Sequence, residues 1–173
     1  MSTFEQELDK RLSKAIQMEK DRQEQLRLIR ARLELKVKTK DIIDTVLAVV
    51  AGRFKNASTK PTHGKGPSGQ IAFQTGIGNY CIIDFIPNDL FGFAVACRLG
   101  FEVSINDADA QTVTITSAYA VGPESLKSAT PLINALKSDP TSVYSGSFRP
   151  ELIREAVERR ILAVIDAVQE RQA

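Results

Sequence analysis

A strict alternation of apolar and other residues over 91–105 is the feature that most constrains this chain. Eight apolar side chains occupy every second position: Phe91, Phe93, Val95, Cys97, Leu99, Phe101, Val103 and Ile105. A period of two is typical of a β-strand with one buried face. The intervening residues are mostly small, which favours close packing of a helix on the opposite face. We therefore predict a long antiparallel strand as the spine of a sheet.

Neighbouring segments extend this pattern and predict a four-stranded meander over 70–75, 79–86, 91–105 and 112–121. Keeping the apolar side chains on one face sets the register of each hairpin. The first hairpin then pairs Cys81 with Cys97, Ile83 with Val95 and Phe85 with Phe93. The second pairs Leu99 with Tyr119, Val103 with Ile115 and Ile105 with Val113. The first half of the long strand would then pair with the preceding strand and the second half with the following strand. We expect a bend near Gly100.

Helical spacing predicts two helices before the sheet and two after it. The first spans 3–37, and the second spans 40–55 with Thr39 as its N-cap. Prolines near helix starts predict the C-terminal helices over 130–137 and 150–169. The predicted fold class is α+β: a four-stranded antiparallel meander sheet packed with two N-terminal and two C-terminal helices.

The 173 residues fit one domain with an appendage, and 43% of them are hydrophobic, which is enough for a core without metals or disulfides. We expect residues 1–38 to form a long amphipathic N-terminal helix that binds a partner, and residues 39–173 to form an α+β globular domain. The glycine- and proline-rich stretch 56–70 is predicted to be a flexible loop.

The predicted N-terminal helix carries two apolar stripes at helical spacing. They are separated by the polar stretch 17–25, in which only Met18 is large and apolar. A soluble helix of this length needs packing to persist, so we expect it to bind a partner helix or a second copy. The leading interpretation is a non-catalytic interaction protein, a homo-oligomer or an adaptor subunit. Its partner-binding residues would be Leu8, Leu12, Leu26, Ile29 and Leu33.

Basic residues over 26–65 provide an alternative function, nucleic-acid binding. The net charge of +2 is nearly neutral, so any attraction of phosphates must come from this local cluster. Its candidate contacts are Arg27, Arg30, Arg53, Lys55, Lys60 and Lys65. The segment lacks the interleaved aromatic residues or the recognition helix that such proteins usually add.

A third interpretation is a metal-dependent hydrolase built around Asp84 and Glu102, which share the small-residue face of the predicted sheet. The ligand set is incomplete, because Ser104 stands where a nuclease-type strand would carry a lysine. His63 is the only histidine, and it has no acidic or thiol neighbour to position it. The pattern therefore assigns no catalytic residue, metal, cofactor or small-molecule substrate.

Three remaining features favour simple structural interpretations. The two cysteines are expected to be packed thiols, and the turn 106–109 is expected to join two strands rather than bind calcium. The glycine loop 64–69 follows a helix and precedes a strand, which is the reverse of a phosphate-binding loop. The first residues resemble no signal peptide, and no apolar run is long enough to span a bilayer. We therefore expect a cytoplasmic protein with no membrane partner.

Overall fold

The computed structural model describes residues 2–54, 57–60, 79–86, 96–122 and 130–170. These residues form three α-helices and five β-strands. The helices are α1 (Thr3–Arg53), α2 (Thr130–Ser138) and α3 (Pro150–Glu170). The strands are β1 (Ser58–Lys60), β2 (Tyr80–Phe85), β3 (Cys97–Ile105), β4 (Thr112–Val121) and β5 (Thr141–Ser147).

The described strands form one antiparallel sheet in chain order, β1 to β5. The α+β class and the antiparallel sheet are therefore confirmed, and two edge strands are added to the prediction. β1 lies within 56–70, which the sequence predicted to be only a loop. β5 lies between the two C-terminal helices, where no strand was predicted. The predicted strand at 70–75 and residues 91–95 fall outside the described residues.

The register of the β3–β4 hairpin is confirmed, with Val103 opposite Ile115 and Ile105 opposite Val113. The predicted β2–β3 register is wrong by four residues, because Phe85 lies opposite Cys97 rather than Phe93. An even shift keeps every side chain on its predicted face, so parity alone does not detect it. The prediction that each half of the long strand pairs with a different neighbour is also wrong, because residues 97–102 pair with both β2 and β4.

The main core lies on the face of the sheet that carries the alternating apolar residues. In β3 those side chains are all buried: Cys97, Leu99, Phe101, Val103 and Ile105. Helix α1 covers them with Ile43 and Leu47, and α3 adds its own apolar stripe, Ile153, Val157, Ile161, Val164 and Val168. Burial of each such side chain contributes about 1.5–3 kcal/mol, so the two helices and this face stabilise one another.

The opposite face of the sheet holds a smaller core under α2. Leu132 and Leu136 of α2 pack with Ile82 and Ala118 of the sheet. Gly100 lies between those two strand residues in the pairing. A Cβ atom added at Gly100 would be 2.8 Å from Cδ2 of Leu132, so the small residue here is what lets α2 approach. The close helix packing that the small residues of 91–105 indicated is therefore present at this position.

The prediction of two N-terminal helices is wrong, because α1 runs without a break for 51 residues. Thr39 does not cap a second helix; its hydroxyl donates a hydrogen bond to the carbonyl oxygen of Leu35 inside α1. No glycine or proline occurs in the chain before Gly52, so nothing interrupts the helix until its last turn. Its first turn is fixed by a capping box between Ser2 and Glu5.

Replacing Gly100 by valine should lower the free energy of unfolding by about 1–3 kcal/mol, because the new side chain must displace buried Leu132. Gly52→Ala is the matched control. A Cβ there meets nothing within 4 Å, and alanine should stabilise this helical position by up to about 1 kcal/mol. Urea unfolding of both variants measures the effects. A stable Gly100→Val variant would contradict the close packing of α2.

Candidate interaction surface

The first half of α1 projects from the domain as an isolated helix. Every residue from Thr3 to Arg27 is exposed, and Leu28 is the first half-buried residue of the helix. At 1.5 Å per residue this arm, defined as residues 3–27, is about 38 Å long. The arm is therefore a helix that the described part of its own domain does not cover.

The apolar residues predicted to bind a partner are all exposed on α1. Their exposed fractions range from 39% at Leu26 and Leu33 to 53% at Leu12. Phe4, at 74%, and Val37, at 49%, extend the same row at its two ends. Leu8 and Leu26 are separated by eighteen residues, which is about five full turns, so the two predicted stripes lie on one side of one helix. We call this row, from Phe4 to Val37, the apolar stripe.

Short-range ion pairs support the arm as a helix in water. Arg22 donates two hydrogen bonds to the Glu19 carboxylate, and Arg27 does the same with Glu24. These bonds from Arg22 and Arg27 lower the pKa of Glu19 and of Glu24 respectively. Exposed pairs of this kind add only about 0.2–0.5 kcal/mol each. These pairs contribute little compared with the packing of an amphipathic face, which is the main source of helix stability in proteins.

Polar contacts join α1 to the sheet where the helix leaves the domain. The guanidinium of Arg32 lies 2.5 Å from a carboxylate oxygen of Asp107, in the turn between β3 and β4. One turn further on, the Lys36 ammonium donates a hydrogen bond of 2.8 Å to the Asn79 side chain. Thr39 and Lys40 are then buried. The apolar stripe therefore ends at Val37, just before the first buried residues of the helix.

The candidate nucleic-acid contacts do not converge among the described residues. Arg27 is engaged by Glu24, and Arg53 lies in the last turn of α1. Those two arginines are about 39 Å apart along the helix axis, by the rise per residue. Arg30 lies on the exposed surface of the same helix. Lys55 and Lys65 fall outside the described residues, as does the side chain of Lys60, so this alternative stays a prediction.

The first acidic candidate, Asp84, is part of a buried ion pair. Arg98 lies directly opposite it on β3 and donates hydrogen bonds of 2.7 and 3.0 Å to its two carboxylate oxygens. Both side chains are at most 10% exposed. Sequence reasoning missed Arg98 because the predicted register placed Ala94, not Arg98, beside Asp84. This bidentate arrangement is typical of a structural ion pair rather than of a metal ligand.

The second acidic candidate, Glu102, lies opposite Tyr80 and faces two lysines. Partial burial raises the pKa of the Glu102 carboxyl, although the charges of Lys137 and Lys36 act in the opposite direction. Burial together with the carboxylate of Glu102 also raises the pKa of the Tyr80 hydroxyl. Within the described ranges, no three His, Cys, Asp or Glu side chains are grouped as a metal site requires.

The turn over 106–109 is held by its own side chains. Asn106 accepts hydrogen bonds from the backbone of Ala108 and Asp109, and Asp109 accepts from the backbone of Gln111 and Thr112. Those bonds from Gln111 and Thr112 lower the pKa of the Asp109 carboxyl. The expected structural turn is confirmed. His63 and the glycine loop 64–69 fall outside the described residues.

Both cysteines are buried and unpaired with each other. The Cys81 thiol donates a long hydrogen bond of 3.8 Å to the carbonyl oxygen of Lys40, which links β2 to α1. Burial raises the pKa of the Cys81 thiol well above its usual value and that of the Cys97 thiol to about 12. Thiols of this kind carry almost no thiolate near neutral pH, so their role is packing.

A shallow apolar groove lies between the end of α1 and α3. It has a volume of about 440 Å³ and is lined by Val49, Phe54, Leu162 and Ile165, with Arg53, Arg154 and Glu158 among its polar residues. Val49 and Leu162 are more than half exposed. The structure contains nothing that identifies an occupant for this groove. In the described part of the chain, no helix has a segment apolar enough to cross a lipid bilayer.

Removal of one partner of the buried ion pair should be strongly destabilising. Asp84→Ala leaves the Arg98 guanidinium buried beside an apolar side chain, so the free energy of unfolding should fall by about 3–5 kcal/mol. The double variant Asp84→Leu, Arg98→Met removes both charges. Its free energy of unfolding should lie within about 1 kcal/mol of the wild-type value or above it. Chemical denaturation compares the three proteins. A single variant as stable as the wild type would show that the pair is not structural.

The two thiols should react with a disulfide reagent only after unfolding, because both are buried and their pKa values are raised. Ellman's reagent at about pH 8 should release little colour from the native protein and two equivalents from the denatured chain. Rapid reaction of a folded sample would contradict the burial of β2 and β3 under the helices.

No family model, no curated protein and no solved structure matches this chain.

Proposed function

We propose that this protein is an interaction subunit that self-associates through the apolar stripe of α1. The observation that carries this proposal is the complete exposure of the arm together with the large apolar side chains on one of its sides. An isolated helix with such a stripe gains stability when a second helix covers it. Self-association therefore accounts for a surface that the domain leaves uncovered.

The distribution of residues around the arm supports this function over that of a solvated spacer. A spacer helix needs only polar residues, whereas here Leu8, Leu12, Leu26 and Ile29 lie on one side and polar residues such as Gln6 and Ser13 lie on the other. Exposed apolar patches on a soluble protein usually mark a binding site, and the stripe forms one such patch on each side of the polar stretch 17–25. A second copy of the chain offers a complementary surface of the same length.

The domain at the C-terminal end of α1 holds the arm in a position that is suitable for association. Ile43 and Leu47 hold the C-terminal part of the helix in the core, and Arg32 forms an ion pair with Asp107 where the helix leaves the domain. The arm is therefore presented as a continuation of a rigid element. Pre-ordering of this kind lowers the entropy cost of association.

The test is the mass of the native assembly, measured by analytical ultracentrifugation. The wild type should sediment as an oligomer at micromolar concentration, and the variant Leu8→Glu, Leu12→Glu should sediment as a monomer. Two carboxylates in a covered stripe would have to lose their hydration, so the affinity should fall by at least about a hundredfold. Thermal unfolding of the variant domain should still be cooperative, because both positions are exposed.

Gln6→Glu, Ser13→Glu is the matched control, since it adds the same two charges on the opposite side of the arm. This control should retain the mass of the wild type. A wild-type monomer at tens of micromolar would overturn self-association. Equal loss of assembly in both variants would show that net charge, and not the apolar stripe, controls the mass.

A further inference from the structure

The positions along the apolar stripe of α1 have the same spacing when counted from either end, with Glu19 and Arg22 at their centre. Its positions are Phe4, Leu8, Leu12, Ala15, Glu19, Arg22, Leu26, Ile29, Leu33 and Val37. Phe4 and Val37 form the outermost pair, Leu8 and Leu33 the next, and the two residue numbers of each pair add up to 41. A row with this symmetry is complementary to a reversed copy of itself.

From this symmetry we infer that two copies of the chain pair their α1 helices antiparallel, about a two-fold axis between residues 20 and 21. The inference rests on the proposed self-association and specifies its geometry. Leu8 of each copy would lie against Leu33 of the other, and Leu12 against Ile29. A two-fold interface of this kind closes on itself, so the assembly is a dimer rather than a filament.

Charge complementarity at the centre supports this orientation. Glu19 and Arg22 are the only charged members of the apolar stripe, and antiparallel pairing places Glu19 of one copy against Arg22 of the other. The two residues already form an ion pair within each helix, with nitrogen and oxygen 2.7 Å apart. The dimer would therefore contain four alternating charges around its two-fold axis.

An in-register parallel pair would have the opposite electrostatics. It would place Glu19 against Glu19 and Arg22 against Arg22 at positions that face the partner helix. Like charges across such a seam disfavour that arrangement. The same apolar stripe therefore distinguishes the two orientations through its polar centre.

The limits of the free helix surface agree with the same axis. Helix α1 begins at Thr3, and in the antiparallel pair this residue would lie beside Lys38 of the second copy. The next residue, Thr39, is fully buried by the domain. The proposed overlap, about 54 Å from the rise per residue, thus runs along the exposed arm and the half-covered segment 28–38, and stops before the first fully buried residue of the helix.

Cysteine crosslinking tests the orientation. Leu8→Cys and Leu33→Cys are made separately, one of them with a size tag, and each is oxidised alone and after mixing. In the antiparallel dimer the two Leu8 positions are about 38 Å apart, beyond the reach of a disulfide, whereas Leu8 and Leu33 of different copies adjoin. Crosslinked dimer should appear only in the mixture. The native thiols are buried and serve as the unreactive background.

The outcomes separate this inference from the proposed function. Self-crosslinking of each variant alone would overturn the antiparallel orientation in favour of a parallel pair. A dimeric mass with no crosslink in any sample would also overturn it while leaving self-association intact. A monomeric mass for the wild type would overturn both.

A charge exchange gives a second test that does not depend on cysteine chemistry. Glu19→Arg alone and Arg22→Glu alone should each weaken the dimer by about tenfold or more, because like charges then meet at the centre. The double exchange Glu19→Arg, Arg22→Glu restores opposite charges and should restore the affinity. Lys20→Glu, on the other side of the helix, is the matched control and should have little effect. Failure of the double exchange to recover the dimer would overturn the pairing of Glu19 with Arg22.

Discussion

Burial of one end of a single long helix is the constraint on which the rest of the structure depends. Ile43 and Leu47 of α1 are fully buried against the sheet, and α3 packs on the same face. The helix continues past this core without a glycine or proline to stop it. The packing that stabilises the domain therefore also fixes the position and direction of the exposed arm. Fold and proposed function share one element, and the domain acts as the anchor of the arm.

Local patterns predicted the parts of the fold in which neighbouring residues determine the answer. The β3–β4 register follows from parity and a short turn, and α2 begins at Thr130, next to Pro131, and α3 at Pro150, as expected. The offset between β2 and β3 could not be derived, because the long connection between them allows any even shift. The edge strand β5 was missed since its sequence is short and largely polar, as exposed edges commonly are.

The continuity of α1 is a case in which two sequence signals conflicted. One was a favoured N-cap residue at Thr39, and the other was the lack of glycine and proline before Gly52. Thr39 is a favoured N-cap residue, but its hydroxyl can equally bond to the carbonyl four residues earlier within a helix. The absence of helix breakers decided between these two arrangements. The predicted boundary at Thr39 lies after both stripes, so the prediction already placed them on one helix, where their spacing puts them on one side. The candidate residues and their alignment were thus predictable from spacing, whereas the unbroken connection of that helix to the buried part of α1 was not.

In the proposed dimer, the polar centre of the apolar stripe has a physical role. A leucine in place of Glu19 or Arg22 would strengthen the association of two helices, but it would also favour parallel, shifted and antiparallel pairs alike. Charged residues at facing positions lower the stability of an interface and raise its selectivity, because only one alignment satisfies them. In this chain that alignment also places the apolar members of the stripe opposite one another. Glu19 and Arg22 make the centre of the stripe less apolar, and in the proposed dimer they would determine the orientation in which two copies pair.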